Sequence, residues 1–140
     1  MKKILPVVLL LALLGAAYVY FFMYNKEKTD LSTVSADVTI SAPELLAQYA
    51  ADEAKANALY LNKVIAVKGS IAESPSADDK GIVSIMLKGD DTGGVNCELS
   101  EAASKEPINS YQAGQEITIK GTCSGSNGID VVLSQCVVAK

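Results

Sequence analysis

The chain has 140 residues and a formal net charge of −4, with 12 Lys, 16 Asp and Glu, no Arg, no His and no Trp. Without Arg the bidentate fork for phosphate and carboxylate is missing, and without His so is the commonest neutral-pH acid, base and metal ligand. An acidic balance also repels phosphate backbones, which disfavours nucleic acid as a partner.

Taken in order, the chain opens with the basic Met1-Lys2-Lys3, then runs uncharged from Ile4 to Tyr24. As a helix this stretch is about 31 Å long, the thickness of a bilayer core. The expectation is a transmembrane signal-anchor over 1–25 that holds the protein in the membrane through Ile4 to Tyr24. Tyr18, Tyr20, Phe21, Phe22 and Tyr24 would form an aromatic belt at one end. By the positive-inside rule this makes a single-pass protein of the inner or plasma membrane, its N-terminus cytoplasmic and its C-terminal domain periplasmic or extracellular. The alternative is a signal peptide cleaved after Gly15-Ala16-Ala17, which would leave a greasy new N-terminus. The stretch has no Cys to accept a lipid.

Residues 26–38 are polar and without periodicity, and read as a tether. An OB-like barrel domain with a lead-in helix is expected over 39–140. Ser41 and Glu44 have capping-box spacing, with Ile40 and Leu45 placed for a hydrophobic staple. Leu45, Leu46, Tyr49, Ala50, Ala56 and Tyr60 share a face of one helix running to about Leu61.

Five strands follow. Alternation points Ile65, Val67, Gly69 and Ile71 inward on the first, Val83, Ile85 and Leu87 on the second, and Val95, Cys97 and Leu99 on the third. Between Ser100 and Gly114 the alternation stops, and Glu101 to Lys105 reads as one or two helical turns ending at Pro107. The fourth strand turns Ile117, Ile119 and Cys123 inward, the fifth Val131 and Leu133. A bulge at Ser134-Gln135 returns Cys136 and Val138 to the inside. The fold class is mainly β: a five-stranded OB-like Greek-key barrel with an N-terminal lead-in helix, preceded by one transmembrane helix.

Several runs carry a resemblance: Val64-Ile65-Ala66-Val67-Lys68-Gly69, Val95-Asn96-Cys97, Gly114-Gln115 leading into Ile117 to Cys123, Asp130 to Leu133 leading to Cys136, and the helix ending Ala56 to Tyr60. Over roughly Ile40 to Val138 the chain resembles the OB-fold family called tRNA-anti-like. The resemblance implies a small barrel often carried on an envelope protein, without an agreed ligand.

Cys97, Cys123 and Cys136 all fall on apolar faces, which allows one disulfide among them, pairing open, or three buried thiols acting as small hydrophobes. Asp78-Asp79 and Asp90-Asp91 sit in Gly-containing turns without calcium or glycosidase spacing, and Ser and Tyr have no His to activate them. No enzyme, metal or cofactor is expected. On the outer face of the middle strands lie Ile82, Ser84, Met86, Lys88, Asn96 and Glu98, with no aromatic to stack a base. Ile82 and Met86 form the apolar centre of a candidate binding patch, and Lys88 and Glu98 its polar rim. The expected function is a non-catalytic binding or protein-interaction module anchored in a bacterial envelope membrane, accessory to a membrane complex, with an envelope protein as partner. The alternative is a small-ligand or oligosaccharide binder using the barrel face.

Overall fold

A computed structural model describes residues 4–24 and 30–139. The first helix, α1, spans Ile4–Tyr24. Two more follow, α2 (Ala42–Ala51) and α3 (Glu53–Tyr60). Seven strands form one sheet: β1 (Val38–Ser41), β2 (Val64–Ser70), β3 (Ser76–Ala77), β4 (Val83–Lys88), β5 (Gly94–Leu99), β6 (Glu116–Ser126) and β7 (Val131–Val138), in the order β1-β2-β6-β7-β5-β4-β3. Two 3₁₀ turns, Ala103–Lys105 and Ile108–Ser110, connect β5 to β6.

The sheet curls because β2 reaches β4 at its end. Ile71 bridges Leu87, and the Ala72 amide donates to the Met86 carbonyl at 2.8 Å. The period-2 positions then meet in the interior: Ile65, Val67, Ile85, Leu87, Val95, Cys97, Ile119, Cys123, Val131 and Leu133 are all fully buried. Helix α2 covers them with Leu45, Leu46 and Tyr49. Its capping bond is present, Glu44 N–H donating to Ser41 Oγ at 3.4 Å.

Several expectations are corrected. Seven strands stand where five were expected. Strand β1 is too short to show a period, yet it pairs in parallel with β2, Val38 opposite Ile65 through Ser41 opposite Lys68. Strand β3 lies in a Ser- and Pro-rich loop without strand propensity, and is made by pairing with β4 and a turn closed by Asp78 N–H to the Ile82 carbonyl at 3.0 Å. The single lead-in helix is two, because Asp52 leaves helical geometry (φ −159°) and its carboxylate accepts from Lys55 N–H at 3.0 Å to cap α3. Among the described residues no helix is long and apolar enough to cross a membrane. The transmembrane signal-anchor, the membrane as partner through Ile4 to Tyr24, and the single-pass localisation with a periplasmic or extracellular domain are therefore withdrawn.

Of the segment read as a tether, 26–29 lie outside the described residues. The rest touches the barrel at single points: Leu31 is 3% exposed, and the Lys120 ammonium donates to the carbonyls of Val34 (2.6 Å) and Ser32 (3.4 Å). Ala66, expected outside, is buried beside Lys120 in register.

Two glycines mark close approaches. A Cβ at Gly69 would lie 3.0 Å from the Ala42 Cβ, where α2 begins, and one at Gly121 would collide with the Cys136 Sγ. Overpacking of this kind costs about 1–3 kcal/mol. Gly121→Ala is therefore expected to lower unfolding stability by roughly that amount in chemical denaturation, and Cys136→Ala in the same chain to recover part of the loss.

Candidate functional site

The outer face of β4 and β5 is the one that alternation leaves opposite the core. Pairing puts Ser84 opposite Glu98, Met86 opposite Asn96 and Lys88 opposite Gly94, and β7 extends the middle row with Val132 opposite Asn96. Met86 is half-buried; a Cβ at Gly94, opposite Lys88, would collide with the Leu87 carbonyl and lie 3.3 Å from the Met86 Sδ. Lys88 and Glu98 are exposed. Four positions of register separate them, about 13 Å at strand rise, so they flank Met86 from opposite ends instead of pairing.

Ile82 stands apart from this arrangement. It precedes β4, in the turn from β3, where its N–H donates to Asp78 Oδ1 at 2.9 Å. The structure thus brings Met86, Lys88 and Glu98 onto one strand pair and leaves Ile82, half-buried, at the margin. Tyr49 and Tyr60 are buried under α2 and α3, Tyr111 lies beyond the second 3₁₀ turn, and the remaining aromatics belong to α1. The face therefore carries no aromatic.

The turn carboxylates are engaged in local structure. Asp78 Oδ1 accepts from the N–H groups of Lys80 and Ile82, each at 2.9 Å. Asp90 Oδ1 accepts from Thr92 N–H and Thr92 Oγ1, both at 2.7 Å, and from Gly93 N–H at 2.9 Å. The Thr92 bonds, with that from Gly93, hold the Asp90 carboxyl below its ordinary 3.8. A depressed carboxyl contributes stability above its unfolded pKa and loses it as pH falls through the folded one. An NMR-monitored acid titration should place the Asp90 midpoint below 3.8, and Asp90→Asn should remove that contribution to acid resistance.

The three cysteines are free and fully buried. Cys123 faces α2, its Sγ 3.3 Å from the Tyr49 hydroxyl, and burial followed by this contact pushes the Tyr49 phenol well up. A hydrogen bond with the Cys97 thiol, then burial, raises the Cys136 thiol. Strand register explains the proximity, since β5 and β7 run in parallel with Leu99 opposite Cys136 and Cys97 opposite Leu133. If the protein is unfolded and refolded in a glutathione redox buffer, peptide mapping should find Cys97 joined to Cys136 and Cys123 alkylatable.

Comparison with known proteins places this geometry among relatives. The profile of the tRNA-anti-like family matches residues 1–137. A search of curated proteins finds no match. Among solved structures, a lipoprotein of Klebsiella pneumoniae subsp. pneumoniae, named provisionally as nucleic acid-binding, shares the fold with a TM-score of 0.58 at 18% identity, over 72% of this chain and 91% of its own.

Proposed function

Because the chain belongs to the tRNA-anti-like family, we propose that it is a non-catalytic binding module that engages a partner protein through the outer face of β4 and β5, as an accessory of a larger assembly. The observation that carries this reading is the half-buried Met86 at the centre of that face, with Lys88 and Glu98 exposed at its two ends. OB barrels use this strand pair for ligands. A flexible thioether between polar flanks suits an adaptable protein contact.

The relative named provisionally as nucleic acid-binding raises the competing ligand. Single-strand binding by barrels of this kind rests on a basic groove and aromatic platforms. On this face there is one cation, Lys88, one carboxylate, Glu98, and no aromatic. The same lack of aromatics weighs against an oligosaccharide here.

One experiment separates these readings. Tagged full-length protein is recovered from its own cells beside a variant carrying Ile82→Glu and Met86→Glu, and both are titrated with labelled single-stranded DNA and RNA. The variant should keep the wild-type fold by circular dichroism, since neither side chain lies in the core, and should lose the proteins that the wild type retains. Neither protein should bind nucleic acid at physiological salt. Retention of the same partners by the folded variant overturns the site, and salt-sensitive micromolar binding of either nucleic acid overturns the partner class.

A further inference from the structure

A second concavity lies away from the β4–β5 face, at the end of the barrel where β5 leaves and β7 finishes. The connection from β5 to β6, which holds two three-residue 3₁₀ turns, runs along that end without filling it. There lies a cleft of about 570 Å³, with Asp30 and Ser32 among its lining residues. Its volume lies within the range of about 300–1,000 Å³ common to small-molecule sites.

Its floor is apolar, with the core residue Leu99 and Val137 among the lining side chains, and its polar side chains are Lys120, Asp30, Glu106, Tyr111, Ser32 and Ser100. The one cationic donor is largely spent. Two of the three ammonium hydrogens of Lys120 go to the Val34 and Ser32 carbonyls, and the Tyr111 hydroxyl donates to Glu106 Oε2 at 3.4 Å. Burial and then Glu106 raise the Tyr111 phenol, so it stays neutral. The acceptors have capacity left. A carboxylate offers about four acceptor positions, of which Glu106 gives one to Tyr111 and Asp30 gives one to Ser32 N–H at 2.9 Å. Hydrogen bonds from Ser32 hold the Asp30 carboxyl below its ordinary value.

We propose that this cleft binds a small organic cation, an amine on an aliphatic or aromatic body, with the body on Leu99 and Val137 and the ammonium donating to Glu106 and Asp30. An anion of the same shape would face two carboxylates, with only a cation already engaged by the chain to attract it. The acidic chain as a whole adds to the preference. This site shares no residue with the β4–β5 face and stands or falls independently of it.

Phenethylamine and 3-phenylpropionate, alike in body and opposite in charge, are the probes. Each is titrated into ¹⁵N-labelled full-length protein at constant nonionic detergent. Phenethylamine should give saturable shifts at the amides of Ser100, Tyr111 and Ala139, and 3-phenylpropionate none. Glu106→Gln and Asp30→Asn should each weaken binding about two- to five-fold, the scale of an exposed ion pair. Ala102 is exposed at the rim, so Ala102→Phe should block the cleft without disturbing the core. Equal or stronger binding of the carboxylate, absence of saturable shifts, or unchanged phenethylamine binding in Ala102→Phe overturns the proposal. Should one carboxylate variant lose its dispersed spectrum, the other and Ala102→Phe decide.

Discussion

The closed end of the barrel depends on one slip of register in β7. Strict alternation from Val131 and Leu133 would carry Gln135 and Val137 inward. Instead Gln135 adopts a left-handed backbone (φ 55°), and the pairing of β7 shifts against β5 and β6 in the same short stretch. Cys136 then turns into the core beside Cys97 and beneath Gly121, and Val138 packs against it. A left-handed residue other than glycine costs about 1–2 kcal/mol, and the Gln135 side-chain oxygen is buried without a hydrogen-bond partner. Those costs are offset by what the slip closes: the last residues of β7 reach the barrel end, and Val137 reaches the floor of the cleft.

Much of this interior was legible in the sequence, for a simple reason. A strand has a side-chain period of two, and Ile65 to Leu133 obey it strand by strand. Even the bulge at Ser134-Gln135 could be read, because only an extra residue reconciles Cys136 with the interior. What escaped reading came from interactions that leave no period. Strand β1 is defined by the edge of β2 beside it, β3 by the edge of β4. The capping role of Asp52 depends on a backbone break that composition does not announce. Lys120 tied the polar segment after Asp30 to the barrel across nearly ninety positions of sequence, a reach that no local window captures.

The two concavities differ in the same way. Strand parity was enough to bring Met86, Lys88 and Glu98 to one face, since each lies on a regular strand with its neighbours in register. Ile82 lies one residue before β4, where the turn at Asp78 ends, and so sits at the edge of that row. The cleft at the barrel end has no such signature. Its walls come from the segment at Asp30, the 3₁₀ turns, β6 and the end of β7, and only the closed sheet assembles them.

The two ends of the sheet order have a consequence for how another chain can engage this one. The outermost strands, β1 and β3, are four and two residues long. An open strand edge is where a foreign chain adds its own backbone, whether as a recognised peptide or as an aggregate, and short edges offer little of it. The strands between them have both edges taken by neighbours or by the Ile71–Leu87 closure. Recognition by this barrel is therefore a matter of side chains and turns, in which the specificity of a contact is written residue by residue and not lent by a shared ladder of main-chain hydrogen bonds.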